Sequence, residues 1–208
     1  MEDVLDLYAE LYDVAYPVVC FDELPVQLIG ETRTPIPMAP GRPARMDYEY
    51  TRHGTCNVFV AVEPKRGRRQ LTVTARRTRV DFARQMQWLV DVAYPHATTI
   101  RVVLDNLNTH TAAALYETLP AAEARRLLQK LEFHYTPKHG SWLNMAEIEL
   151  SVVQRQCLSR RIADPQTLQR ELTAYARQRN TAKAAIHWQF TTDRAREKLH
   201  RLYPSIPS

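Results

Sequence analysis

Thr99-Ile-Arg-Val-Val-Leu-Asp105 reads as a buried β-strand closed by an acid. Ile100, Val102, Val103 and Leu104 make the run apolar enough for burial, and its length suits a strand better than a helix. Its neighbours decide how it pairs. Upstream, Thr78-Arg-Val-Asp81 opens a helix in the manner of a capping box. Phe82, Met86, Leu89, Val90 and Ala93 give that helix one apolar face, and Pro95 ends it. Downstream, a helical stretch over about 110–130, interrupted near Pro120, leads to a short strand at 131–135. Strands joined through helices pair in parallel.

Farther out towards the N-terminus, 55–62 and 70–75 alternate as strands around the turn Pro64-Lys-Arg-Gly-Arg-Arg69, which predicts a hairpin. Residues 17–22, Pro-Val-Val-Cys-Phe-Asp, form another buried strand. Ahead of it lies a helix within 2–14, with Val4, Leu7, Tyr8 and Leu11 at helical spacing and Pro17 as its stop. Pro35, Pro37, Pro40 and Pro43 exclude a helix from 31–52 and predict an extended arm. Towards the C-terminus, Asn144 to Ser159 is a strong helix, Asp164-Pro165 supplies an N-cap and first-turn proline for the next, and a last helix spans about 192–203. The pattern predicts an α/β fold, a mixed five-stranded sheet flanked by helices. The RNase H-like fold of the retroviral integrase superfamily has this order, and several other α/β folds share it. Three segments are expected: a short N-terminal helix at 1–16, the α/β domain at 17–180 and a basic helical tail at 181–208.

A length of 208 residues suits one domain with short appendages. The chain is 45% hydrophobic and 25% charged, ordinary for a globular protein, with no apolar run of membrane-spanning length and an acidic start, Met1-Glu-Asp-Val4, unlike a signal peptide. Cys20, Cys56 and Cys157 are widely spaced and odd in number, which predicts no disulfide framework and a cytoplasmic setting. The net charge is +5, unevenly distributed: residues 151–208 carry eleven Lys and Arg against four Asp and Glu, a balance of +7. That asymmetry points to a polyanion partner or to a solvated basic helix.

Asp22 and Asp105 each end a buried strand, where an unpaired carboxylate is costly. Two such acids suggest a cation between them. A third is available on the helix after the last strand. At 100° per residue Glu147 falls in the apolar arc with Ala146, Leu150, Val153 and Cys157, and Glu149 just outside it, as a solvated or salt-bridged acid. Asp22, Asp105 and Glu147 are therefore the candidate ligands, expected to converge within bridging distance. Three carboxylates suit Mg²⁺ or Mn²⁺, and two ions can clamp a phosphate for in-line attack by water.

Val-Cys-Phe-Asp22-Glu23, Leu-Asp105-Asn-Leu-Asn-Thr-His110 and His134-Tyr-Thr-Pro-Lys-His-Gly-Ser-Trp-Leu-Asn-Met-Ala-Glu147 together resemble the mariner-type DDE transposases, in particular those of bacterial insertion sequences of the insertion-sequence-630 type. The likeness runs from about residue 17 to 160. It implies an RNase H-like catalytic domain, Asp22, Asp105 and Glu147 as the catalytic and metal-binding triad, two divalent ions, cleavage at transposon ends and joining of the 3′ ends to target DNA, usually at TA. The 41 residues between Asp105 and Glu147 exceed the usual mariner spacing, so the Leu-Asn-x-x-Glu context selects Glu147. Such enzymes carry helix-turn-helix modules for end recognition. Only one short helix precedes the first catalytic strand here, so the chain reads as the catalytic part, acting on DNA in the bacterial nucleoid, as a homodimer and with a separate recognition module.

Lys65, Arg66, Arg68 and Arg69 on the hairpin turn, Lys138, His139 and Trp142 before the Glu147 helix, and Arg155 on it are the candidate DNA contacts: the cations for phosphates, Trp142 for stacking on an extruded base or for the core. Arg160 and Arg161 extend the second basic cluster. Asn106, Asn108 and His110 follow the second acid, as turn and cap residues or as groups that orient water or phosphate. His134 and His139 have no second ligand pair at zinc spacing, and neither a Gly-rich phosphate loop nor a nucleophile elbow is present. The rivals are an endonuclease of the same fold that does not integrate and a non-catalytic DNA-binding remnant.

Overall fold

The computed structural model describes residues 1–45 and 47–203; the last five residues expected in the basic tail, 204–208, lie outside this range. Helix α1 spans Glu2–Ala9. Strands β1 (Val18–Glu31), β2 (Tyr50–Glu63) and β3 (Arg68–Thr74) precede α2 (Arg79–Trp88), which ends in a π-helical turn at Leu89–Ala93. Then come β4 (Ile100–Leu104), α3 (Ala112–Thr118), α4 (Ala121–Leu128) and β5 (Leu131–Tyr135). A 3-10 turn at Ser141–Leu143 leads into α5 (Met145–Gln156), followed by α6 (Pro165–Thr181) and α7 (Thr192–Lys198). The sheet order is β3-β2-β1-β4-β5. β3, β2 and β1 are antiparallel neighbours, whereas β4 and β5 join parallel to β1. The mixed sheet expected from the sequence is the one observed.

Alternation along the strands divides the core between two faces. Cys20, Val58, Val60, Val62, Leu71 and Val103 pack on one face with α1, α5 and α6. Val19, Phe21, Phe59, Val102 and Leu104 pack on the other with α2, α3 and α4. Helix α1, set apart from the catalytic unit by the sequence reading, inserts Val4, Leu5, Leu7 and Tyr8 into the first core. The tail does so too: Ile186, Trp188 and Phe190 lie against that core, and Arg196 pairs with Glu2. All three cysteines are buried and unpaired. Among the described residues no helix is long and apolar enough to cross a membrane.

Two local expectations are met by direct contacts. The Thr78 hydroxyl accepts from the Asp81 amide while Asp81 accepts from Thr78 N. Asp164 Oδ1 accepts from Thr167 N at 2.7 Å, with Pro165 in the first turn. The arm is shorter than its sequence suggests. β1 runs on through Pro25 to Glu31, and β2 starts at Tyr50, so the hairpin outgrows the sheet. β1 is an edge on its β4 side beyond Cys20, where proline is tolerated. Arg161 fastens the base of the arm, bonding Glu31 and the carbonyls of Asp47, Tyr48 and Glu49.

Candidate active site

Strand register brings the first two acids together. β1 and β4 pair in parallel with Cys20 opposite Val103, so Asp22 lies level with Asp105 at the C-terminal end of β4. Helix α5 is fixed to the same place by its cap. Asn144 Oδ1 accepts from Ala146 N at 3.1 Å. Asn144 Nδ2 donates to Phe21 O at 2.8 Å and lies 3.4 Å from Asp22 Oδ2. One buried side chain thus starts the helix and ties it to β1 beside Asp22, with Glu147 in the first turn. Asn144→Ala removes the cap and leaves the Phe21 carbonyl without its donor. We expect a loss of about 2–4 kcal/mol and a melting temperature lower by roughly 5–15 °C. A scanning-calorimetry shift under about 2 °C would contradict this role.

Asp22 is 9% exposed. Burial first, and then the charges of Glu147, Glu23 and Asp105, push its carboxyl up to about 7, against the opposing hydrogen bond from the Glu23 amide. Glu147 itself is exposed, and the Asp105 side chain is 30% exposed. The expectation of bridging distance needs correction: among the described residues no three His, Cys, Asp or Glu side chains stand close enough to hold one ion as they are. Glu147 turns to solvent, and a hydrogen bond of 2.6 Å holds Asp105 Oδ1 against His110 Nδ1. The donor chemistry nonetheless fits a hard divalent cation: three carboxylates, one of them buried at an electrostatic cost that a cation relieves.

That cost sets a pH dependence. A carboxylate with a raised folded-state pKa favours the folded protein only while protonated. Its penalty grows from about pH 4 and is complete above about pH 7. In metal-free protein at pH 8, Asp22→Asn is expected to raise stability by on the order of 2 kcal/mol, roughly 4–8 °C in melting temperature. At pH 4 the gain should vanish. An equal shift at both pH values would rule out the carboxylate as its source.

On α5 the inward position belongs to Glu149 and not to Glu147, the reverse of the arc drawn from the sequence. Glu149 is fully buried, 2.9 Å from Arg69 and 3.4 Å from Arg179, and accepts from the Tyr175 hydroxyl at 2.8 Å. Glu149 is thus salt-bridged, as one of its two expected states had it. Arg69 is thereby withdrawn from the candidate DNA contacts: it is buried and also donates to the carbonyls of Gly67 and Ala184. The rest of that turn lies four residues beyond Asp22's partner Val60, roughly 13 Å along the strand and away from the acids. There Arg66 is exposed, Arg68 sits over the Tyr94 ring and Lys65 bonds the Glu10 carbonyl. Arg155 is exposed near the end of α5, and Arg160 pairs with Glu171.

Lys138 and His139 do adjoin one of the acids, Asp105. With Asp105, Asn106, Thr136 and Ser141 they line an open hollow of about 400 Å³. His139 has φ 63°, a left-handed backbone uncommon for a residue with a side chain. Trp142 is 45% exposed and stacks on Trp188 at 6.3 Å, with Phe190 edge-on. Asn106 and Asn108 are exposed. His134 points elsewhere, pairing with Asp3 and Glu132. The sequence reading passed over Glu23, Arg77 and the bridging role of Asn144. Alternation along β1 already implied that Glu23 faces the opposite side of the sheet from Asp22.

Residues 17–169 match a protein family described as DDE superfamily endonuclease. No curated protein matches the chain significantly. Among solved structures, the Mos1 mariner paired end complex with Mn is similar at 15% identity and a TM-score of 0.50, over 87% of this chain and 58% of that one. The Mos1 strand transfer complex is 14% identical with a TM-score of 0.47, over 91% and 62%. The first likeness establishes the fold as RNase H-like, and this chain spans little more than half of the Mos1 chain.

Proposed function

This chain belongs to the DDE superfamily endonuclease family, and on that premise we propose that it is the catalytic domain of a mariner-type transposase of the insertion-sequence-630 branch. It cuts DNA at element ends and joins the freed 3′ ends to target DNA at TA sites. The observation that carries this reading is the parallel register of β1 and β4, which sets Asp22 level with Asp105, together with the Asn144 side chain, which ties the start of the Glu147 helix to β1 beside Asp22. Enzymes of this family use divalent metal ions, and Asp22, Asp105 and Glu147 are the residues that would hold Mg²⁺ or Mn²⁺ here. Two such ions would supply charge stabilisation to the attacking and leaving oxygens of an in-line displacement. The protein's own groups do the rest. Asn144 sets Asp22 and the start of α5, His110 sets Asp105, and Lys138 and His139 receive the phosphate in the adjoining hollow. Trp142 offers an exposed ring to a base.

Lys65, Arg66, Arg68 and Arg155 hold backbone phosphates farther from the cut. In this proposal a homodimer presents one site to each element end, with a helix-turn-helix module reading the end sequence. A supercoiled plasmid and a labelled, precleaved element end, incubated with Mg²⁺, test the reading. We expect nicking and joining of the label to plasmid. Nicking without joining would indicate an endonuclease of the same fold. Binding without either reaction would indicate a DNA-binding remnant.

The cations sit on a turn, a loop and a helix end, a placement suited to phosphates more than to base edges. With Lys65, Arg66, Arg68, Lys138 and Arg155 each neutralising one phosphate, the expected slope of log affinity against log salt is about −4.5. Element-end and scrambled duplexes should differ by less than about threefold. Fluorescence-anisotropy titrations at several salt concentrations check both values, and strong discrimination at physiological salt would contradict the proposal.

A further inference from the structure

A chain of charged groups on the α2–α3 side of the sheet ends on Asp105, and its other members lie outside the triad. Side chains alternate along β1, so Asp22 faces α5 and Glu23 faces α2 and α3. Glu23 is 9% exposed, and a carboxylate so placed requires a cation. Two reach it. Arg77 Nη1 donates to Glu23 Oε1 at 3.2 Å, and His110 Nε2 lies 3.2 Å from Oε2. The other ring nitrogen, Nδ1, is the one that meets Asp105 Oδ1 at 2.6 Å.

The imidazole has little freedom. It is 1% exposed and packs against Phe82 at 4.9 Å and Phe21 at 5.8 Å. Its backbone is pinned on both sides: His110 N donates to Leu107 O at 2.9 Å, and its carbonyl accepts from the Tyr135 hydroxyl at 2.9 Å. A ring held by packing, with a carboxylate at each nitrogen, fixes the rotation of the Asp105 carboxylate and leaves Oδ2 unengaged by it. We propose that Glu23 and His110, backed by Arg77, are positioning residues that orient Asp105 for divalent metal. This inference rests on the reading of Asp22, Asp105 and Glu147 as the metal-binding triad. Groups that orient a ligand in this way typically contribute 10- to 100-fold to metal affinity.

The test is Mn²⁺ binding to the whole chain without DNA, by isothermal calorimetry, alongside DNA affinity and thermal melting. His110→Ala is expected to weaken Mn²⁺ binding about 10- to 100-fold while leaving DNA affinity within about twofold. His110→Asn retains a donor near the Nδ1 position and should recover most of the loss. Glu23→Gln, which removes charge and keeps shape, should cost several-fold and carries the test if His110→Ala does not fold. Folded variants that bind Mn²⁺ as the unaltered protein does would overturn the inference, provided that Asp105→Asn weakens binding. If Asp105→Asn leaves Mn²⁺ binding intact, the triad reading fails, and this inference with it.

Discussion

Replacing Asp105 with asparagine is expected to lower metal-dependent DNA cleavage by at least about 10³-fold, some 4 kcal/mol of barrier, while DNA affinity changes by less than about twofold. The amide keeps the size of the carboxylate and its place opposite His110. What it loses is the negative charge that a hard dication needs at the end of β4. On the proposed function, DNA affinity is expected from Lys and Arg side chains on phosphates, and the hairpin-turn cations lie roughly 13 Å along the strand from the acids. Gel-based cleavage in Mg²⁺ together with binding in chelator separates the two effects. Cleavage at a near-native rate would remove Asp105 from the catalytic set. Cleavage and binding lost in parallel would mean that the charge shapes the DNA surface and not the chemistry.

The largest stability effect is expected from Arg69→Ala, at about 3–5 kcal/mol. Arg69 is fully buried between β3 and α6, where it pairs with Glu149, bonds the carbonyls of Gly67 and Ala184 and faces Asn180 Oδ1 at 3.4 Å. Truncating it leaves the Glu149 carboxylate buried, with the Tyr175 hydroxyl and the more distant Arg179 as its partners. An uncompensated buried charge costs more than the pair contributes, so Arg69→Met combined with Glu149→Leu should regain most of the loss. Urea denaturation of both variants checks this. A loss under about 1 kcal/mol for Arg69→Ala would show that water or Arg179 takes over the carboxylate.

Sequence reading succeeded where the signal is local. The Thr78–Asp81 box, the Asp164-Pro165 start and the apolar run before Asp105 each act within a few residues, and each element is found at its expected place. It failed where partners come from afar. Nothing near Glu149 in sequence announces Arg69 on β3 or Arg179 on α6, so helical phase alone misplaced the buried acid. The same distance hid the basic turn's division of labour, with Arg69 in the core and Arg66 at the surface. His110 resembled a cap because its two carboxylates stand on β1 and at the end of β4. Asn144 was legible as part of a motif, and its bridge to Phe21 and Asp22 explains in contacts why an asparagine starts that helix.

If Asp22, Asp105 and Glu147 form one divalent-metal site, a crystal structure of the chain grown with Mn²⁺ will show it. Anomalous density is expected within about 2.0–2.3 Å of carboxylate oxygens from all three residues, with Glu147 swung inward from solvent and Asp105 still bonded to His110. Mn²⁺ bound elsewhere, or bound at this end of the sheet without Glu147, would contradict it.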